Sequence, residues 1–374
     1  MRSAANTGES KLLGLELLRF VCAFAVLVWH YQHFYHMGGS QPYVRSAQPL
    51  YALLAPFYEL GLYGVQFFWA ISGFIFFWKY GATITEGAIG GGKFFVLRFS
   101  RLYPLHLATL LIVAALQPVY GLLTGGPFVY QNNSLGQFLL QLGMANQWGP
   151  PVPFTFNGPF WSVSAEVFVY AVFFMAMRTL GLYRFWVAAA IAGICIAIQL
   201  AGAVSPAIAC AAYFFLGGMV AEAHRRARGE VGARWVAALA LAVIGGFGWS
   251  RDMFSRDTAP LFLLLLLPPL LFLAAQEWRL LDRWQKPIEY AGNLTYSTYL
   301  SHFPLQLIAA IVVAAFGLPV PANSPFLLIA YLAITMLVGR LVYLRFERPA
   351  QDAIRSWYRQ RQPRADTEAT SAAL

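Results

Sequence analysis

The chain has 374 residues, of which 59% are hydrophobic and 11% charged, with a net charge of +10 and a mean hydropathy of +0.57. A soluble protein carries roughly 25% charge, and so few charges cannot cover the surface of two soluble domains, so membrane insertion is favoured. An aromatic content of 16% excludes disorder except at the ends and suits wide interfacial belts.

Ten apolar runs long enough to cross a bilayer, at about 20 residues per helix, fall near 12–37, 57–78, 102–123, 161–177, 185–203, 206–221, 235–250, 259–276, 292–316 and 325–344. Runs such as PLFLLLLLPPLLFLAA are apolar all round, whereas membrane strands alternate. The predicted class is therefore all-α and polytopic, with about ten transmembrane helices. With the N-terminus in the cytoplasm, 21 of the 26 Lys and Arg residues fall on inside segments and three (Arg45, Arg251, Arg256) outside. That asymmetry predicts both termini cytoplasmic, and it reads the basic charge as topology, with no nucleic-acid partner. Residues 1–11 then form a cytoplasmic N-terminus, 12–346 the membrane domain and 347–374 a cytoplasmic tail. From Gln360 the tail is polar and expected to be disordered.

The first run is too long for a signal peptide, lacks a small-residue cleavage site and contains an arginine, so it is expected to be retained. It holds Glu16, Arg19 and His30. Ionisable groups in a membrane helix are costly, at least ~2.5–3.5 kcal/mol for charge at its centre, and are functional candidates by default. Arg19 and His30 are eleven residues apart, which returns them to within about 20° of one face and some 16 Å along the axis. A neutral imidazole accepts a proton from a hydroxyl, so His30 is a candidate general base. His33 and His36 follow and read as water-exposed. The spacing of the three histidines drifts around the helix with no carboxylate nearby, so no metal site is expected. Cys22, Cys195 and Cys210 lie in apolar runs and give no disulfide framework.

The second run brings Ser72 and Gly73 toward the inner side, where small residues suit either close helix packing or a site. Gly87 to Lys93 has the glycine and lysine spacing of a phosphate-binding loop. Phe94 stands where that loop needs Ser or Thr, and no strand precedes it, so the match is dismissed. Arg98 and Arg101 share a helical face at the inner edge, ahead of a break expected at Pro104. They suit forked phosphate binding or ordinary inside anchoring.

The longest outside loop, about 125–160, is uncharged and rich in Gly, Pro, Asn and Gln, which fits contact with a neutral sugar. Glu166 follows in the fourth run, on the face of Ser162. A carboxylate at this depth either orients His30 or pairs Arg19, and the sequence leaves both open. In the ninth run, Tyr296, Ser297, Tyr299 and His302 sit in the inner half.

Arg19 with His30, FFWAISGF at Phe67–Phe74, RFSRLYPLH at Arg98–His106, FWSVSAEVFVY at Phe160–Tyr170, TYSTYLSH at Thr295–His302 and FERP at Phe346–Pro349 stand in this order along the chain. Together they resemble the acyltransferase 3 family of bacterial integral membrane O-acyltransferases, in its short, stand-alone form. Glu16 stands where aspartate is commoner in that family. The resemblance implies transfer of an acyl group, commonly acetyl, from cytoplasmic acyl-CoA to a hydroxyl of an exopolysaccharide, its lipid-linked precursor or another glycan. It implies a multi-pass protein of the bacterial inner membrane, with lipid, acyl-CoA and the glycan as partners, polysaccharide-assembly proteins beside them, and no permanently bound cofactor. It also implies His30 as base or transient acyl carrier, with Arg19 and Glu166 catalytic beside it. Arg98, Arg101, Ser72, Tyr296, Tyr299 and His302 are expected to hold the acyl-CoA donor. A proton-coupled transporter or flippase of a lipid-linked glycan is the rival, since it too uses buried Arg, Glu and His.

Overall fold

A computed structural model describes residues 12–203, 205–255 and 258–361. The N-terminal segment 1–11 and the tail beyond Arg361, for which disorder was expected, lie outside the described residues. The helices are α1 Leu13–His30, α2 Tyr51–Leu60, α3 Gly64–Thr85, α4 Gly91–Thr124, α5 Leu135–Leu142, α6 Trp161–Leu180, α7 Arg184–Leu200, α8 Pro206–Arg226, α9 Val231–Ser250, α10 Ala259–Ala274, α11 Arg279–Asp282, α12 Gln285–Phe316, α13 Pro325–Val342 and α14 Arg348–Gln360. No strand forms among the described residues.

Eight helical stretches are long and apolar enough to cross a membrane. One of them, Gly158–Leu200, contains two crossings. The start of α6 lies beside the start of α3, where Trp69 Nε1 donates to the Ser162 carbonyl at 3.2 Å. Its end lies beside the end of α3, where Thr85 Oγ1 donates to the Met177 carbonyl at 3.2 Å. The chain then turns back through a 3-10 segment at Gly181–Tyr183, and Arg184 at the start of α7 reaches Glu222 at the end of α8 at 3.1 Å. With the shorter apolar helix Ala259–Ala274, ten helices match the ten runs of the sequence.

Glycine sets the closest crossing. A Cβ on Gly73 would stand 1.8 Å from the Phe214 carbonyl oxygen, and one on Gly217 1.9 Å from that of Ala70. The backbones of α3 and α8 touch there, which only glycine permits.

Two boundaries differ from expectation. The third crossing does not break at Pro104; α4 runs unbroken for 34 residues through Pro104 and Pro118, so Arg98 and Arg101 sit inside a continuous helix. Likewise α12 starts seven residues early and continues through Pro304. Proline there leaves the Leu300 carbonyl without its helical N–H, and Asn157 Nδ2 donates to that oxygen at 3.1 Å. A neighbouring side chain satisfies the freed carbonyl, which is why proline is tolerated in a membrane helix.

Candidate active site

The bundle encloses a cavity of about 150 Å³ between α1, α3, α4, α6 and α12. Arg19, Ser72, Arg98, Arg101, Glu166 and Tyr296 are among its lining residues. With Tyr299, seven of the residues selected from the sequence thus meet in one place, drawn from five helices. Arg19 is held in a fork by Glu16, at 2.9 and 3.2 Å, and reaches Thr295 Oγ1 at 3.3 Å. Arg98 donates to the Tyr80 hydroxyl at 2.6 Å, and its guanidinium lies 4.8 Å from the Phe76 ring centre and 5.0 Å from that of Tyr80. Aromatic faces hold a desolvated cation by their quadrupole. Tyr296 is fixed by its hydroxyl on the Leu102 carbonyl at 2.7 Å.

Glu166 lines the same cavity beside Ser72 and Tyr170 and lies within reach of the charges of Arg19 and Arg98. It therefore belongs to the cationic cavity that His30 does not line, near Arg19, whose own ion pair is with Glu16. A second carboxylate, not selected from the sequence, completes the arrangement. Glu347 is buried, accepts from Ser297 Oγ, and lies within reach of the charges of Arg101 and Arg19. It is presented by a π-helical turn at Tyr343–Glu347, a distortion that recurs at functional sites. The FERP block carries this glutamate, so the signal was present, but its place after the last apolar run reads as cytoplasmic tail. Instead α14 folds back on α4, with Arg355 Nε donating to Ser100 Oγ at 3.2 Å.

His30 is not part of that cavity. It packs against His302 with ring centres 4.5 Å apart, and against His33 at 5.1 Å. His302 was expected in the inner half beside the cations; the early start of α12 sets it level with His30 instead. His33, read as water-exposed, is buried. His30 Nδ1 lies 2.9 Å from the Val26 carbonyl, and His302 Nδ1 2.6 Å from the Tyr299 carbonyl. A carbonyl only accepts, so each Nδ1 carries the proton and each Nε2 is a bare lone pair. His302 Nε2 is buried with no partner. Gln306 orders the third ring. Its amide nitrogen donates to the His30 carbonyl at 2.9 Å, so its oxygen receives His33 Nδ1–H at 2.9 Å.

Tyr299 stands between the two regions. Its hydroxyl lies 2.8 Å from Ser162 Oγ and 2.7 Å from the Pro159 carbonyl, its side chain lines the cavity, and its ring centre is 5.9 Å from that of His302. Beyond the histidines from that cavity, Phe128 and Tyr130 pack on His33 at 6.4 and 5.9 Å. They belong to the long neutral loop, whose Gln131, Asn132, Asn133 and Ser134, with Gln117 of α4, line an open groove of about 570 Å³. Gln117 pins that loop by both accepting from and donating to the Phe128 backbone, at 2.9 and 3.0 Å. Among the described residues no three His, Cys, Asp or Glu side chains group so as to hold a metal ion.

A family model described as an acyltransferase domain matches residues 12–344. The chain is also similar to the "Protein 2 in picA locus" of Rhizobium radiobacter, 34% identical over 119 residues, which cover 29% of this chain and 62% of that protein. The chain thus spans less than two thirds of the length of that relative. No solved structure matches.

Proposed function

The chain belongs to the acyltransferase 3 family, with the family's domain over nearly its whole length, and from that premise we propose that this membrane acyltransferase moves an acyl group, acetyl in the first instance, from cytoplasmic acyl-CoA to a hydroxyl of a neutral glycan. The observation that carries the reading is the sequence of environments along one axis. An arginine-lined cavity at the inner end meets a pair of imidazoles across Tyr299, and a groove of uncharged amides and hydroxyls lies outside them.

The inner cavity suits the donor. Arg98 and Arg101 present forked cations to phosphate oxygens. At about 30 Å³ per water, a space of this size takes an acyl thioester tip and not the whole coenzyme. Glu166, beside Ser72 and Tyr170, balances Arg98 and Arg19 across the space, so the cations keep fixed positions when the donor is absent. Arg19, tied to Glu16 and Thr295, aims one guanidinium face at the same space, where charge develops on the thioester oxygen in the transition state.

Proton transfer falls to the imidazoles. His30 Nε2 takes the acceptor's hydroxyl proton as that oxygen bonds to the carbonyl carbon. The carbon–sulfur bond then breaks, and the imidazolium returns the proton to the leaving thiolate. His302 offers a second bare Nε2 in the same cluster, its ring centre 4.5 Å from that of His30, so the proton has two acceptors of equal chemistry. The same pair also suits a transient acyl-imidazole route.

Purified protein in nanodiscs, given radiolabelled acetyl-CoA and a glycan or lipid-linked glycan fraction, tests the reading. Label transferred to the glycan by the native chain and lost in His30→Ala is expected. A chain that moves glycan across a proteoliposome membrane without consuming thioester is a transporter, and that result would overturn the assignment.

A further inference from the structure

A separate cavity of about 200 Å³ lies at the inner end of the bundle, where α3, α8 and α10 end and α9 begins. Trp78, His224, Arg228, Arg234, Gln276 and Glu277 line it, and the mechanism uses none of them. Its walls are rich in donors. The Gln276 amide nitrogen donates both to the Phe272 carbonyl, at 2.9 Å, and to His224 Nδ1, at 3.2 Å. His224 Nδ1 is therefore an acceptor, and the imidazole proton sits on Nε2. Arg234 Nε is buried with no acceptor. Next to the cavity, Arg225 lies 5.0 Å from the Trp78 ring centre and donates to the Phe77 and Trp78 carbonyls at 3.2 and 3.1 Å, while its Nε is also buried and unmet. Arg228 donates to Glu277 at 2.8 Å, so one carboxylate offsets part of this charge.

Ordinary inside anchoring leaves arginine heads in water. Here the Arg234 Nε–H is buried at a polar cavity with no acceptor, and a buried charged donor without an acceptor is costly. What such a space lacks is an oxygen-rich anion. We propose that this cavity binds a phosphate ester, with an anionic phospholipid of the inner leaflet as its source. The position favours lipid over the soluble donor. The helix that carries Arg234 is α9, which packs chiefly against α10. Its outward residues Trp235, Val236 and Leu239 are 72, 69 and 65% exposed, so the cavity opens at the lipid-facing edge of the bundle, where basic pockets between helices take lipid head groups. This assignment is independent of the acyl-transfer chemistry.

Native mass spectrometry of the purified full chain in detergent tests it, with dioctanoyl phosphatidylglycerol, dioctanoyl phosphatidylcholine, inorganic phosphate and acetyl-CoA as separate probes. Saturable binding of the phosphatidylglycerol is expected, weaker by about 10-fold in Arg234→Gln, as loss of a charged hydrogen bond implies. Glu277→Gln is expected to tighten it by removing a carboxylate from beside the anion. Arg234→Lys keeps the charge without the fork and should fall between, which preserves the test if the glutamine variant folds poorly. Phosphatidylglycerol binding unchanged in all three variants would overturn the site. Loss of acetyl-CoA or inorganic phosphate binding in Arg234→Gln, with phosphatidylglycerol unaffected, would overturn the lipid source.

Discussion

The 4.5 Å contact between His30 and His302 makes a quantitative prediction about how their losses combine. General base catalysis contributes about 10²–10⁴ in rate, and each decade is about 1.4 kcal/mol of barrier. His30→Ala is therefore expected to lower kcat by about 10²–10⁴, with abundance retained. Were His302 to act separately with a similar share, the double variant would lose about 10⁴–10⁸. Both Nδ1 atoms are committed to carbonyls, so the two Nε2 atoms handle one proton as a unit, and residues that act as a unit are far from additive. The His30→Ala, His302→Ala double variant should thus lose about what the worse single variant loses, within a factor of ~10. His302→Phe separates packing from chemistry, because it keeps a ring in a fully buried position and removes the nitrogen. It should fold as the native chain does and lose as much activity as the alanine variant. The assay is single-turnover transfer of radiolabelled acetyl at saturating donor, with thermal unfolding in detergent as the control. Multiplying losses, or full activity in His302→Phe, would refute the shared-proton argument.

Other expectations follow from the cavity and the packing around it. Arg98→Lys keeps the charge and loses the fork and the stacking on Phe76 and Tyr80. The KM for acyl-CoA should rise about 10-fold with kcat little changed, as a lost charged hydrogen bond implies, measured by steady-state kinetics. Glu347→Ala leaves Ser297 without its acceptor and removes a buried anion facing Arg101. It should destabilise by about 3 kcal/mol, the scale of a broken buried pair, whereas Glu347→Gln keeps an acceptor oxygen and should cost less than half of that in the same unfolding assay. Gly73→Ala brings a methyl within 1.8 Å of the Phe214 carbonyl oxygen, so α3 and α8 must separate by more than an ångström. A loss of at least about 1–3 kcal/mol is expected from overpacking, and because Ser72 lies next in α3, donor KM should rise with it. Native-like stability in that variant would count against the close crossing.

Hydrophobic runs alone gave an all-helical polytopic fold, because a bilayer admits a backbone only as helices of sufficient length. They also selected Arg19, Ser72, Arg98, Arg101, Glu166, Tyr296 and Tyr299, since a polar side chain in such a run is costly wherever it points. Partnership among them was not in the sequence. Glu166 had two candidate partners, and only the placement of α6 beside α3 sent it to the cations rather than to His30. His302 and Glu347 show the same limit. An α12 that starts seven residues before its apolar run sets His302 level with His30 rather than beside the cations, and a π-turn after the last apolar run buries Glu347. Depth and burial of single residues depend on contacts made by distant segments. A one-dimensional reading sees what a residue costs in lipid, and the tertiary structure alone decides which neighbour offsets that cost.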